Sequence, residues 1–434
     1  MGHILEVNHQ HRLLQQKLDR TLTGAPDSPV FMKILKLLFT DDEAELARKI
    51  PGQMTSIEKL SQKLGMDSDR LGNKMTEMAQ RGLIFDLERN GQRYVALPPV
   101  VIGFFEFVFM RVRDDMPMKE LARLFEEYFN DSRFAESAFR GHTQMFRSLV
   151  QEEALPAGDH IEILDWERAS NIVKSASSQA VGICQCHHTA AHLGNACEKD
   201  QMVCLSLNYA AESLIKSGIA QPINTARAME ILEACKLAGL AQTGDNVQRK
   251  VAFICNCCGC CCHIMKGIKT FNIRNAIVSS NWIMQVDLSR CKGCGECAKA
   301  CPVEVIDIKK EILDNKEWRW AVHHEDLCLG CGACYNSCKF GALKLVHRGK
   351  SVITPETAFD RVVSMALERG KLGDLIFDDH DKLSHRALGR ITGILETAPP
   401  VKALLAVKPL RSVFLNRLVS TAKARSGDIT QIIE

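Results

Sequence analysis

Eight of the nineteen cysteines in this chain fall into two runs with the same spacing, C-x-x-C-x-x-C-x-x-x-C. Three thiolates on one tight loop bind three iron corners of a four-iron four-sulfur cubane, and the fourth corner needs a ligand from another direction. In a two-cluster domain, the fourth cysteine of each run binds the other cluster. The spacing therefore predicts one cluster bound by Cys291, Cys294, Cys297 and Cys338, and a second bound by Cys328, Cys331, Cys334 and Cys301.

The segment around these runs, about residues 284–348, resembles the bacterial two-cluster ferredoxins, with CKGCGECAKAC answered by CLGCGACYNSC. The resemblance implies a ferredoxin-like fold, two [4Fe-4S] clusters and electron transfer. Glycines between the cysteines allow left-handed turns that bring backbone N–H groups near the cluster sulfurs. Zinc also binds four cysteines, but its sites favour two separated C-x-x-C pairs. Basic and acidic residues are nearly balanced here, which favours a ferredoxin module built into a larger machine.

A second cysteine-rich region lies at about residues 155–283. We expect its first four cysteines to bind a third cluster. Six more follow in CNCCGCCC, and neighbouring side chains diverge from the backbone, so only a subset is expected to bind a fourth. One or two additional [4Fe-4S] or unusual iron–sulfur clusters are therefore predicted, either one from each set or a single cluster that draws on both sets. The two sets are Cys184, Cys186, Cys197 and Cys204 for the third cluster, and a subset of Cys255, Cys257, Cys258, Cys260, Cys261 and Cys262 for the fourth.

Four histidines lie among these thiols, and we expect them to be polar neighbours more often than ligands. Cys235 stands apart in a helical stretch and is expected to be a core residue. The order of GICQC, FICNCCGCCC and a two-cluster ferredoxin resembles a group of poorly characterised iron–sulfur proteins of anaerobic bacteria and archaea, over about residues 155–345. That resemblance implies electron transfer in an anaerobe.

The N-terminal third begins with a helical segment (1–30), and residues 31–97 are predicted to form a winged helix. The apolar spacing predicts three helices, with one ending at Gly65, and Asn90-Gly91 predicts a hairpin turn. Such modules often bind DNA, but eleven basic and ten acidic residues leave no basic footprint. We therefore expect packing or partner docking rather than DNA binding.

Two amphipathic helices are predicted in residues 98–154, as a hydrophobic bridge or as the interface of a homo-oligomer. Residues 349–434 are expected to be helical. Within them, residues 397–427 carry six basic and no acidic residues, so this segment fits peripheral membrane contact, an acidic partner or a solvated helix face. The chain has no apolar stretch of about 18 residues and no signal peptide, which predicts a cytoplasmic protein.

The sequence thus predicts an α+β multidomain protein with a winged helix, a mostly helical cysteine-rich middle domain, a ferredoxin-like two-cluster domain and a helical C-terminal region. The leading hypothesis is electron transfer between a low-potential donor and a partner oxidoreductase. An iron–sulfur reductase with a substrate-binding cluster in residues 184–262, and a redox-sensing winged-helix regulator, are the alternatives. Neither a Walker loop nor a dinucleotide-binding glycine motif is present in the sequence.

Overall fold

A computed structural model of the chain describes residues 8–155, 164–313, 316–349, 351–377 and 383–397. The chain divides into two compact units, which we describe separately. The first comprises Met1–Thr143, Ser213–Ile219 and Thr357–Glu434, and the second comprises Gln144–Glu212 and Ala220–Glu356. All nineteen cysteines lie in the second unit, which combines the predicted middle and ferredoxin-like domains.

The first unit opens with helices and a small antiparallel sheet of order β1-β3-β2. Helix α4 ends at Gly65 in the left-handed region, and the hairpin turn between β2 and β3 uses Asn90 and Gly91 at positive φ, as predicted. These elements have the order expected of a winged helix, and that fold assignment stays a prediction. Their bounds are α1 (His9–Asp19), α2 (Pro29–Leu38), α3 (Asp41–Lys49), β1 (Thr55–Ser56), α4 (Ile57–Leu64), α5 (Ser68–Gln80), β2 (Phe85–Arg89) and β3 (Gln92–Ala96).

The first predicted helix of this region is in fact two helices, α2 and α3. Thr40 caps α3: its hydroxyl accepts from the Glu43 N–H, and the Glu43 carboxylate accepts from the Thr40 N–H. This reciprocal capping box satisfies donors that a continuous helix would bond internally, so the chain restarts at Thr40.

The predicted helix through VVIGFFEFVFM is also wrong. Residues Val100–Phe104 form an irregular turn in which Ile102 has a φ of 54°, and only the short α6 (Phe105–Phe107) follows. Two prolines precede the turn, and the buried Glu106 carboxylate accepts the Gly103 N–H at 2.9 Å. The phenylalanines of this segment are buried inside the unit, where Phe105 stacks on Phe125 of α7 (Met118–Phe129) ahead of α8 (Ser132–Phe139).

The second unit contains a seven-stranded sheet of order β10-β4-β8-β9-β6-β5-β7, antiparallel except for the β10–β4 pair. The prediction of a mostly helical middle domain therefore misses this sheet, although helical residues outnumber strand residues there. The strands are two to five residues long, too short to show an alternating pattern in the sequence. The elements are β4 (Phe146–Ser148), α9 (Ala169–Ser175), β5 (Gln179–Gly182), α10 (Gln185–His192), β6 (Cys204–Leu207), α11 (Asn208–Lys216), β7 (Gln221–Ile223), α12 (Thr225–Leu237), β8 (Ala241–Asp245), β9 (Phe253–Cys257), α13 (His263–Phe271) and β10 (Ile277–Val278). From Ser213 onward, α11 belongs to the first unit.

The ferredoxin-like segment follows in the same unit and contains two antiparallel strand pairs. Strand β11 pairs with β14, the last strand of the segment, and β12 pairs with β13 in a hairpin between the two cysteine runs. The elements are β11 (Trp282–Val286), α14 (Glu296–Ala300), β12 (Ile306–Leu313), β13 (Lys316–His323) and β14 (Leu343–His347).

The chain then returns to the first unit through α15 (Ala358–Arg369), α16 (Leu372–Ile376) and α17 (Leu383–Thr397). A capping box at Thr357 begins α15, and Gly370 ends it in the left-handed region. No helix in the described ranges is both long and apolar enough to cross a membrane. The predicted basic segment 397–427 lies outside the described residues from position 398 onward.

Candidate metal centres

Two cavities in the ferredoxin-like segment are each lined by four predicted cluster ligands. The first is lined by Cys291, Cys294 and Cys297 of the first run and by Cys338 of the second. The second is lined by three cysteines of the second run and by one of the first, namely Cys328, Cys331, Cys334 and Cys301. The structure thus brings together the two sets that the spacing predicts, and four thiols around each cavity are the donors that a [4Fe-4S] cluster requires.

Backbone N–H groups point at the sulfurs in both halves of the repeat. The N–H of Val305 lies 3.4 Å from the Sγ of Cys301, and the N–H of Ala342 lies 3.3 Å from the Sγ of Cys338. Each donor is four residues after its cysteine, so the internal repeat also repeats the N–H···S contact. Such donors stabilise negative charge on thiolates and help to set the reduction potential of a cluster.

Burial makes these thiols poor acids on their own. Desolvation raises the pKa of Cys297 to about 11 and that of Cys331 to about 12. It also raises the pKa of Cys301 and of Cys334. Thiolate is the form that binds metal, so ligation has to release these protons, and the charge of the cluster irons compensates for the buried anions.

Glycine is required where the loop of the second run meets β11. Gly330 has a φ of +68°, and a Cβ built on it would lie 2.1 Å from the carbonyl oxygen of Trp282. Its carbonyl oxygen accepts from the hydroxyl of Ser280 at 2.9 Å. Only a residue without a side chain fits this backbone approach, and the loop thereby holds Cys328 and Cys331 on either side of the glycine.

One glutamine connects the second cavity to the seven-stranded sheet. The backbone N–H of Gln151 donates to the carbonyl oxygen of Cys331 at 3.2 Å, and its side-chain amide donates to the carbonyl oxygen of Leu240 at 3.2 Å. Leu240 directly precedes β8. No sequence pattern indicates this role for Gln151, because it lies in a non-repeating segment nearly two hundred residues before Cys331.

The middle-region cysteines form two groups that differ from the predicted quartet. The first, the six-cysteine group, surrounds the ends of β5, β6 and β9 and the starts of α10 and α13. In it, the Cys186 thiol contacts those of Cys184 and Cys262, Cys257 contacts Cys262, and Cys255 contacts both Cys257 and Cys204. Its members are Cys184, Cys186, Cys204, Cys255, Cys257 and Cys262.

Two thiols of the six-cysteine group sit at helix starts, where N–H groups favour thiolate. The neighbouring Cys186 thiol lowers the pKa of Cys184, which also accepts from the His187 N–H at the start of α10. The pKa of Cys262 lies well below its usual range, because its sulfur accepts from the thiols of Cys186 and Cys257. The N–H groups of Met265 and Ile264 at the start of α13 lower it further. Thiolates at helix N-termini are ready metal ligands.

The second, the four-cysteine group, consists of Cys197, Cys258, Cys260 and Cys261, whose sulfur atoms all lie within 4.8 Å of one another. Cys197 lies in the loop after α10, and the other three lie in the turn between β9 and α13. The predicted quartet stays a prediction. In the structure its member Cys197 lies with the turn cysteines, while its other three members lie in the six-cysteine group. Cys204 is the first residue of β6.

The remaining candidates are packing or supporting residues. Cys235 is buried in α12, and desolvation raises its pKa to about 12, as expected of a core thiol. His187 is buried, and its Nε2 lies 2.7 Å from the carbonyl oxygen of Cys197, so it supports the loop through the backbone. None of the nineteen cysteines, all of which the structure describes, is in a disulfide.

Comparison with known proteins agrees with the geometry of the two cavities. A family model described as a 4Fe-4S dicluster domain matches residues 290–342. An uncharacterized ferredoxin of Methanocaldococcus jannaschii is 37% identical over 62 residues, which are 14% of this chain and 89% of that protein. A ferredoxin of Methanothermococcus thermolithotrophicus is 35% identical over 60 residues, covering 13% of this chain and 88% of the relative. Through this segment, the chain belongs to the ferredoxins.

The ferredoxin segment accordingly carries two [4Fe-4S] clusters, and its similarity to ferredoxins supports an iron–sulfur electron-transfer role for this segment. The match covers about a seventh of the chain, so the family accounts for this domain alone. The translation initiation factor rli1 of Schizosaccharomyces pombe is 41% identical over 66 residues, but these span 15% of this ferredoxin-family chain and only 11% of the factor. No solved structure matches the chain significantly.

Proposed function

We propose that this protein is a multi-cluster electron carrier, in which the six-cysteine group holds a further iron–sulfur cluster in series with the two ferredoxin clusters. It passes single electrons between a low-potential donor and a partner oxidoreductase, in the cytoplasm of an anaerobe. The observation that carries the proposal is the placement of every candidate ligand, from Cys184 to Cys338, within one compact unit.

A direct backbone contact supports the series arrangement. Gly259, in the turn between β9 and α13, packs so closely on Pro302 that a Cβ there would lie 2.7 Å from the Pro302 carbonyl oxygen. Pro302 follows Cys301, a proposed ligand of the second ferredoxin cluster. Lys269 of α13 fixes the same junction, because its ammonium donates to the Gly259 carbonyl at 3.0 Å and pairs with Glu304 at 2.7 Å. Cys257 and Cys262 of the six-cysteine group lie at the two ends of this turn, so the segment between them touches the loop of that cluster.

The two ferredoxin clusters differ in their access to solvent, which suggests a direction for the relay. Cys294 of the first cavity is exposed, and Phe340, which also lines that cavity, is 43% exposed. In the second cavity, Cys331 and Cys334 are buried. We propose that the first cluster exchanges electrons with the partner and that the second connects it to the interior.

The test is anaerobic purification followed by iron and acid-labile sulfide analysis and electron paramagnetic resonance of the reduced protein. Two ferredoxin clusters and one further cluster give about twelve irons per chain. Fewer than about eight irons, with no reducible four-iron spectrum, would sink the electron-transfer proposal. In rapid-mixing experiments, Phe340→Ala should slow electron transfer to a protein acceptor more than it slows reduction by dithionite.

The size of the six-cysteine group favours one alternative, an iron–sulfur reductase. A cubane takes four thiolates, so two of the six remain for a second role. An open iron position or a reactive thiol would be such a role. Adding small ligands such as cyanide or carbon monoxide to the reduced protein checks this: a changed spectrum of the middle cluster alone supports the reductase, and an unchanged one supports the carrier.

For the winged-helix region, we propose partner docking or packing rather than DNA binding. In a DNA-binding winged helix the third helix enters the major groove, and here that helix is α5. Arg81 at its end is already paired with Glu43 at 2.5 Å. Arg93 of the hairpin pairs with the buried Asp86 at 2.7 Å. Cations held by internal carboxylates add little to a DNA-binding footprint. A gel-shift assay with mixed-sequence duplex at low salt, in both redox states, should show no complex.

A further inference from the structure

We infer that the four-cysteine group binds a single tetrahedral metal ion, zinc or iron, rather than an iron–sulfur cluster. The site is distinct from the ferredoxin cavities and from the six-cysteine group. The inference goes beyond the proposed function, which needs only the clusters.

The sulfur spacing distinguishes one ion from a cubane. A tetrahedral metal with metal–sulfur bonds of about 2.3 Å has sulfur–sulfur edges of about 3.8 Å. The Sγ of Cys261 lies 3.7 Å from that of Cys197 and 3.9 Å from that of Cys260, and all four sulfurs lie within 4.8 Å of one another. Four sulfurs that bind separate corners of a cubane are held apart by the cluster itself. Among the described residues, the eight ferredoxin-type sulfurs form no group this compact.

The turn has the backbone geometry of a metal-binding knuckle. Cys258-Gly259-Cys260-Cys261 is a C-x-x-C sequence, and the N–H of Cys261 donates to the Sγ of Cys258 at 3.3 Å. The N–H of Cys197 lies 3.5 Å from the Sγ of Cys261. Each donor offsets part of the negative charge that four thiolates place around one divalent ion. These contacts are independent of the sulfur spacing and indicate the same kind of site.

Strand geometry separates this group from its neighbours in the sequence. Successive side chains of a strand point to opposite faces, so Cys255 and Cys257 of β9 share a face. The strand ends at Cys257, and the turn carries the next three cysteines to Cys197. Cys262 then caps α13 and returns to the six-cysteine group. The four-cysteine group is therefore complete without any sulfur that the other group uses.

The chemical consequence depends on which ion is bound. Zinc has no redox chemistry in proteins and would fix the turn against Pro302, whereas a single iron would add a one-electron step beside the second ferredoxin cluster. Either ion is bound by the same four thiolates and contributes no acid-labile sulfide. X-ray absorption at the zinc and iron edges of the full-length protein distinguishes the two, and either should give a sulfur-only shell at about 2.3 Å.

The experiment compares metal and sulfide content of the full-length protein with that of Cys258→Ala/Cys261→Ala. We expect the variant to lose about one metal ion per chain and no acid-labile sulfide, because one ion needs all four thiolates. Cys197→Ser should lose the same ion, although it lies in a different loop. Cys235→Ala is the matched control, a cysteine buried in the same unit whose substitution should leave both contents unchanged.

Loss of about four irons and four sulfides from these variants would overturn the inference, since it would show a cubane at the site. Unchanged metal content would overturn it as well. The electron paramagnetic resonance signal of the ferredoxin clusters reports whether a variant has folded. If the double variant has not folded, Cys260→Ala replaces it in the metal analysis, because Cys260 is exposed. Failure of the proposed function would appear in the iron count and spectrum of the wild type, whereas failure of this inference would appear in the comparison of each variant with the wild type.

Discussion

Replacing Gly330 by alanine should destabilise the second ferredoxin cluster selectively. At a φ of +68°, a side chain costs about 1–2 kcal/mol in backbone strain. The new Cβ would lie 2.1 Å from the Trp282 carbonyl oxygen and 2.3 Å from the Ser280 hydroxyl, so the loop must shift, which costs about 1–3 kcal/mol more. The total of about 2–5 kcal/mol is strain that opening of the loop would release.

The assay is anaerobic loss of cluster absorbance in the presence of an iron chelator. If the loop opens and closes faster than the chelator captures iron, the loss rate follows the opening equilibrium, in which about 1.4 kcal/mol is tenfold. Gly330→Ala should then lose one cluster about 30- to 3,000-fold faster than the wild type. The other cluster should keep its rate.

Gly239→Ala is the matched control for this substitution. Gly239 has a φ of +70°, but a Cβ there would meet nothing within 4 Å. It therefore carries the backbone strain without the collision, and it lies outside the cluster loop. We expect its effect on cluster loss to stay below about tenfold. If Gly330→Ala loses its cluster no faster than Gly239→Ala, the close approach to β11 does not stabilise the loop.

The ligand cysteines and the carboxyl group of Glu106 can each be tested by substitution. Cys301→Ser and Cys328→Ser should each remove about four irons, and the double variant should remove no more, because both cysteines bind the same cluster. Cys301→Ser combined with Cys297→Ser should remove about eight irons. Iron analysis thus distinguishes ligands shared between the two runs from one cluster per run. Cys262→Ser should lose the cluster held by the six-cysteine group and keep the spectrum of the two ferredoxin clusters, as checked by electron paramagnetic resonance. Burial raises the pKa of Glu106 to about 7, so the folded state holds this proton more tightly than the unfolded state does. The free energy of unfolding, relative to that of Glu106→Gln, should therefore fall by up to about 3 kcal/mol between pH 4.5 and 7 and then level off. Thermal unfolding of both proteins across that pH range tests the sign.

The features that the sequence predicted well are those set by local chemistry. The C-x-x-C-x-x-C-x-x-x-C repeat needs only its own spacing, and the two cavities hold the cysteines that it groups. Gly65 ends α4 and Asn90-Gly91 forms the hairpin turn because positive φ is a local requirement. The break at Thr40 was also visible in the sequence, as a threonine followed by glutamate three residues later, but the apolar periodicity on both sides concealed it.

The features that the sequence predicted poorly are those set by long-range pairing. Strands β5 to β10 have two to five residues each. Apart from the pair formed by the consecutive strands β8 and β9, their partners are distant in the chain, so no local pattern identifies them. The role of Gln151 has the same cause, since its partners are Cys331 and Leu240. The irregular turn at Val100–Phe104 depends on the buried Glu106 contact, which overrides the apolar spacing of a helix.

The six cysteines at 255–262 show how one register decides the chemistry of this region. Thiols at Cys255 and Cys257 face the six-cysteine group only because β9 pairs with β8 in the observed register, where Thr243 opposes Cys255 and Ala241 opposes Cys257. A shift of one residue would turn both thiols to the opposite face of the sheet. The strand must also end at Cys257, since the turn that follows forms the knuckle of the four-cysteine group. Ligand identity in CNCCGCCC is therefore a property of the seven-stranded sheet, and cysteine spacing alone predicts a dense set of thiols without their division between two metal centres.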